Sequence, residues 1–170
     1  MKTLKDILIL EYKGEFELAF EFYNELYQSN KSDFEVWKHY FFFMWLAPEE
    51  TSEEFQNKIN LQQLLRDLYS EGKEQFQNET EFKFITGYAI SILPYEFGDY
   101  AEYEKIGNEL LRQAHHEQPN DTVYKMVYLG TINSNIEEYK KEELEASQVV
   151  LNRFKGPGLL NNYFRHVLNR

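Results

Sequence analysis

Apolar residues recur at helical spacing along almost the whole chain, and this spacing limits the available folds more than any motif does. Phe16, Ala19, Phe20, Tyr23, Leu26 and Tyr27 follow the i, i+3, i+4, i+7 pattern of an amphipathic helix. Phe55, Ile59, Leu61, Leu64, Leu65, Leu68 and Tyr69 do the same with one slip in phase. Strict apolar–polar alternation is scarce, and no Asn-Gly or Asp-Gly hairpin turn occurs. The pattern predicts an all-α chain of about nine helices, over 3–13, 15–29, 33–46, 52–77, 80–93, 99–117, 121–133, 136–154 and 159–168. Ser32, Thr51 and Ser134 each stand three residues before a glutamate, the spacing of a capping box. Asn78, Asp99 and Asn120 are further N-cap candidates. The turns at Gly14, Asn30-Lys31, Gly98-Asp99, Pro119-Asn120 and Gly156-Pro157-Gly158 are short, which favours antiparallel neighbours. No linker or low-complexity tract interrupts the chain, so one helical domain over 1–170 is expected.

The chain carries 14 Phe, 13 Tyr and 2 Trp, a supply of rings that a disordered chain lacks. Leu8, Leu10, Phe20, Tyr23, Trp37, Phe41, Leu64, Leu68, Phe84, Ile92, Leu110, Val127, Leu151 and Phe164 are the expected core. Phe41-Phe42-Phe43-Met44-Trp45-Leu46 is apolar on every side, so its helix should be central. Zero Cys excludes a disulfide scaffold. The longest apolar run, Tyr40 to Ala47, falls far short of a bilayer span, and Asp6 and Glu11 interrupt any signal-peptide core. The expected location is cytoplasmic.

The formal net charge of −11 bears on partners. An acidic surface repels phosphate backbones and anionic membranes, so neither nucleic acid nor membrane is expected to bind. A basic protein would be attracted and its association accelerated. Residues 1–57 hold 12 acids and 5 bases, whereas residues 115–170 hold 7 of each and no acid after Glu145.

No catalytic chemistry emerges. His39, His115, His116 and His166 contain no i, i+4 pair, and His115 and His116 diverge by about 100° on a helix, so no metal site is expected. The glycines form no phosphate loop, and no G-x-S-x-G is present. The paired glutamates (Glu49-Glu50, Glu53-Glu54, Glu137-Glu138, Glu142-Glu143) sit at helix starts or on polar faces, not in an apolar cleft that would raise their basicity. The expectation is a non-enzyme with no catalytic residue and no cofactor. Two features point to a partner surface. Glu17, Glu21 and Glu25 recur every four residues as an acidic stripe, with Glu11 nearby in the preceding helix. Tyr95, Glu96, Phe97, Asp99 and Tyr100 follow Pro94 at a turn, where tyrosines beside acids make good interface anchors. These eight residues, Glu11 aside, are the expected contact set.

The chain also suggests an internal repeat. Gly14-Glu-Phe-Glu-Leu-Ala19 aligns with Gly98-Asp-Tyr-Ala-Glu-Tyr103, and Val36-Trp37-Lys38 with Val123-Tyr124-Lys125. The first block resembles a tetratricopeptide repeat. Gly14, Glu15, Phe16, Ala19 and Tyr23 match the second helix of that motif, whereas Leu26, Lys31 and Phe41 depart from it. The resemblance implies a right-handed stack of antiparallel helix pairs with a concave binding surface. Size, acidity, helix-pair layout and the stretch from Phe84 to Tyr100 resemble the immunity proteins of bacterial contact-dependent inhibition and polymorphic toxin systems. That likeness implies binding and neutralisation of a cognate toxin domain, commonly a basic nuclease. The alternative is a tetratricopeptide-type adaptor or chaperone that grips a peptide, with Lys38, Lys83 and Lys125 as clamps. The oligomeric state is left open by the sequence.

Overall fold

A computed structural model describes residues 2–132 and 135–169, and every regular element among them is helical. The helices are α1 (Leu4–Lys13), α2 (Phe16–Ser29), α3 (Phe34–Glu50), α4 (Glu53–Ile59), α5 (Leu61–Phe76), α6 (Thr80–Ile92), α7 (Tyr100–Glu117), α8 (Thr122–Thr131), α9 (Ile136–Arg153) and α10 (Leu159–Leu168), with one 3₁₀ turn at Pro94–Glu96. The all-α expectation holds, with ten α-helices among the described residues in place of nine. The expected helix over 52–77 divides at Asn60, which adopts a left-handed conformation (φ 51°, ψ 56°) and ends α4. Asn tolerates this region better than most residues, and the break lies at the phase slip in the apolar pattern. α3 runs past Pro48 to Glu50, four residues beyond the expected end. Ala47 O accepts both the backbone N–H (2.9 Å) and the hydroxyl (2.6 Å) of Thr51, which closes the helix.

Several caps lie one residue after the expected position. Asp33, Ser52 and Asp121 accept bonds from first-turn amides in place of Ser32, Thr51 and Asn120, and Asn135 caps α9. The expected cap at Ser134 lies outside the described residues. Asp99 caps α7 as expected, and Glu79, not Asn78, holds the N-cap position of α6 without a side-chain bond. Thr3 and Asp6 form a reciprocal capping box at the start of α1.

The chain packs as two compact units, Met1–Phe76 with Gly156–Asn161, and Gln77–Lys155 with Asn162–Arg170. In the first, α1, α2, α3 and α5 pack in chain order. Rings fill the space between them. Tyr23 stacks on Tyr40 (5.2 Å) and tilts against Phe43 (5.3 Å), while Trp37 stacks on Phe41 (5.1 Å) and meets Phe76 (5.6 Å). The Trp37 indole N–H donates to Leu68 O at 2.9 Å, which places the ring over Gly72 of α5. A Cβ at Gly72 would stand 2.3 Å from that ring. Every residue from Val36 to Ala47 is buried, so α3 is the central helix its all-round apolarity predicted.

In the second unit, α6, α7, α8 and α9 pack in chain order. Here α6 and α7 cross at their backbones. A Cβ on Gly107 would lie 2.7 Å from Ser91 N, and one on Gly87 would lie 3.0 Å from Leu111 N. Phe164 of α10 completes the core against Phe154 (4.8 Å), Tyr88 (5.0 Å) and Phe84 (5.6 Å). Ile92 and Leu151, expected in the core, are 50% and 39% exposed. Ile92 is the last residue of α6, and Leu151 lies about 100° round α9 from buried Val150.

Candidate protein-binding surfaces

The acidic stripe is placed by the packing of α2. Ala19, Tyr23 and Tyr27 are buried. With about 100° per residue, Glu17, Glu21 and Glu25 therefore fall on the opposite face, and all three are exposed. Among the described residues none of the three makes an ion pair, so their charge is uncompensated within the fold. Glu11 does not join this stripe. It lies on the buried face of α1 with Ile7 and Leu8. Tyr23 OH donates to its Oε1 at 2.6 Å, and the Leu159 amide donates to its Oε2 at 2.7 Å. Burial pushes this carboxyl up to about 7, against the pull of the two hydrogen bonds. The turn expected at Gly156-Pro157-Gly158 thus does more than stop a helix. Gly158 (φ 98°) passes close to Leu8 and Glu11 and delivers the Leu159 amide to the carboxylate.

The second expected surface is the connection between α6 and α7. Pro94 is buried, and the backbone from Leu93 to Gly98 closes on itself through Glu96 N to Leu93 O (3.2 Å) and Phe97 N to Pro94 O (3.0 Å). Phe97, expected as a contact residue, is 3% exposed and stacks on Tyr103 at 6.1 Å. It is a correction to the contact set with a clear physical cause: a phenyl ring in a tight connection gains more from burial than from water. Its burial pins the loop, so that Tyr95 (53% exposed) and Tyr100 (55% exposed) project outward next to half-buried Glu96 and exposed Asp99. Asp99 accepts a bond from Glu102 N at 3.0 Å and caps α7, so it also has a structural duty.

The three candidate clamp lysines are engaged inside the fold. Lys38 is buried, pairs with Glu35 at 2.8 Å and lies over the Phe34 ring. Lys83 pairs with Glu117. Lys125 bridges buried Glu142 (2.6 Å) and Glu138 (3.2 Å). Of the histidines, His115 stacks on Tyr128 (5.4 Å) with its Nδ1 buried, and His116 Nδ1 meets Arg112 O at 2.8 Å. His39 is buried in α3, and desolvation holds it down to about 4, neutral over the physiological range. Among the described residues no group of three or more His, Asp or Glu is placed to hold a metal ion, and no helix is long and apolar enough to cross a membrane.

The second unit also contains a groove of about 350 Å³ lined by Tyr88, Ile92, Met126, Val127, Tyr139 and Val167, among others. Its polar rim is internally satisfied: Ser91 Oγ donates to Tyr88 O, Thr131 Oγ1 donates to Tyr128 O, and the Tyr88 and Tyr163 hydroxyls meet at 3.2 Å.

The sequence reading missed the two buried carboxylates, Glu11 and Glu142. Both were detectable. Glu11 follows Ile7 by four residues, and Glu142 precedes Ala146 and Val150 at spacings of four, so each lies within its helix's apolar stripe. No family model matches the chain, and no curated protein or solved structure matches it.

Proposed function

We propose that this chain is a non-catalytic protein-binding protein, an immunity protein that neutralises a cognate basic toxin domain in the cytoplasm. The observation that carries the reading is the pinned α6–α7 connection, which holds Tyr95 and Tyr100 outward beside Glu96 and Asp99. Aromatic side chains fixed in one orientation lose little entropy on docking, and they supply most of the binding energy at interface centres. The uncompensated stripe of Glu17, Glu21 and Glu25 supports the same reading, because it attracts a basic surface from a distance and raises the association rate. The partner's active site is then covered or distorted by the docked scaffold. The adaptor alternative loses its lysine clamp, since Lys38, Lys83 and Lys125 are already paired.

The test is to look for a toxin domain encoded next to this chain and to co-express the two, with growth and nuclease activity as readouts; a neighbourhood with no toxin domain would count against the reading. Wild type is expected to restore growth. Tyr95→Ala with Tyr100→Ala should lower affinity by at least about tenfold, or 1.4 kcal/mol, at an unchanged melting temperature. Full protection by the double variant would remove the loop from the site, and binding of short linear peptides in place of a folded domain would favour the adaptor reading.

A further inference from the structure

The segment Gly156–Asn161 belongs to the first compact unit, although the chain before and after it belongs to the second. It is a short strap seated on α1. Gly158 adopts a positive φ of 98°, and a Cβ there would stand 2.6 Å from Leu8 and 3.0 Å from Glu11 Oε2. Glycine is therefore required on two counts, backbone conformation and close approach. The approach brings the Leu159 N–H to Glu11 Oε2 at 2.7 Å. Leu159 opens α10, so its amide is one of those that a helix leaves without an internal partner. Glu11, 148 residues away in the chain, supplies that partner.

The carboxyl is 4% exposed, and both groups that meet it are neutral donors: the Leu159 amide and the Tyr23 hydroxyl at 2.6 Å. The strap from Gly156 to Asn161 contains no ionisable residue, and Lys155 just before it is exposed. On α1, Lys5, Asp6 and Lys13 are exposed, whereas Glu11 lies on the buried face. On α2, Tyr23 is turned toward the carboxyl, Glu17, Glu21 and Glu25 are exposed on the opposite face, and Tyr27 donates to Glu71. From α3, Tyr40 stacks on the Tyr23 ring, and Lys38 pairs with Glu35. An ionised Glu11 is thus a buried charge held by dipoles alone, and taking such a charge out of water is costly. The neutral group keeps both contacts: Oε1–H donates to the Tyr23 oxygen while Oε2 accepts from the Leu159 amide.

We infer that Glu11 is a proton-operated latch for the Gly156–Asn161 strap: the neutral carboxyl keeps the strap seated, and ionisation favours a released strap that lets water reach the carboxylate. The seated strap binds the proton more tightly than the released one, so acid closes the latch and base loosens it. Burial raises the seated carboxyl from its ordinary 4.5 to about 7. The extra hold is therefore complete below about pH 4.5 and is lost as pH rises through about 7. Leu160, 3% exposed, favours the seated strap at every pH, so the proton tunes the population of released strap and does not set it alone. The latch is independent of the α6–α7 connection and of the toxin reading.

The test is amide hydrogen exchange of the full chain at pH 5 and pH 8, each rate divided by the intrinsic rate at that pH. Protection of the Leu159 amide should fall by at least about tenfold from pH 5 to pH 8. At pH 8 it should exchange at least about tenfold faster than the amides of α3, which shows release without global unfolding. Glu11→Gln should hold Leu159 protection constant within about twofold over the same range, because its amide makes both contacts and does not titrate. A carbon-detected titration of the wild-type Glu11 carboxyl needs no variant, and its midpoint should lie above about 6. Leu159 protection that does not change with pH, exchange at Leu159 no faster than in α3, an equal pH response in Glu11→Gln, or a Glu11 midpoint at or below about 5 would overturn the latch.

Discussion

The two units place helices in the same chain order yet make opposite use of glycine. In the first, Gly72 makes room for a side chain, the Trp37 indole, and the helices are spaced apart by rings. In the second, Gly107 makes room for a backbone, that of Ser91, and α6 lies directly on α7. Their buried carboxylates differ as well. Glu11 is held by two neutral donors, a tyrosine hydroxyl and an amide. Glu142 is held by the Lys125 ammonium at 2.6 Å, and that bond raises the lysine above its ordinary value. A shared helix order therefore does not imply shared packing. Tolerance to mutation and to pH is set by what each glycine and each carboxylate faces.

The largest expected effect concerns the connection that distinguishes the units. α1 reaches α2 through the left-handed Gly14, whereas α6 reaches α7 through a loop anchored by Phe97. Phe97→Ala should cost about 3–5 kcal/mol in urea unfolding and release Tyr95 and Tyr100, whereas Gly14→Ala, strained only by its φ of 73°, should cost about 1–2. Equal losses would show that the loop is not held by the ring.

The carboxylates should respond with opposite sign. A folded value of about 7 against an ordinary 4.5 means that the stability Glu11 contributes is complete below about pH 4.5 and is lost as pH rises through about 7. The change is on the order of 3 kcal/mol. Glu11→Gln should therefore flatten the pH profile over that window and stabilise the chain at pH 8. Glu142→Gln should destabilise it there by about 1–3 kcal/mol, because it removes the buried partner of Lys125. Destabilisation of both variants at pH 8 would place the Glu11 carboxylate outside the neutral-donor class.

The glycines provide a smaller and sharper contrast. Gly72→Ala and Gly107→Ala should each cost about 1–3 kcal/mol. Trp37→Phe should relieve part of the Gly72→Ala loss, since a smaller ring vacates the site. No side-chain truncation should rescue Gly107→Ala, whose nearest neighbour is a backbone nitrogen. Additive double-mutant cycles at Gly72 and Trp37 would refute the ring-filling account. Gly130→Ala is the control, because its Cβ meets only Tyr139 at an ordinary 3.4 Å. Helix propensity should make it neutral or stabilising by up to about 1 kcal/mol.

Residue pattern alone determined that the chain is all-helical, that the helix carrying Phe41 to Leu46 is central, and that Glu17, Glu21 and Glu25 share one face. These are properties of residue spacing on a single helix, which follow from its fixed turn angle. The break at Asn60 was not among them, since the periodicity was consistent with one helix over 52–77. Only the tertiary structure decided that Phe97 is buried while Tyr95 is not, that Glu11 leaves the acidic surface for a site beneath Leu159, that Lys38, Lys83 and Lys125 are paired, and that Leu151 stays exposed. Some of these depend on local partners, as with Lys38 and Glu35 or Phe97 and Tyr103, and others on which distant segment covers a helix face. Leu159 lies 148 residues from Glu11 along the chain. Spacing fixes the direction in which a side chain points, and only packing fixes what it meets there.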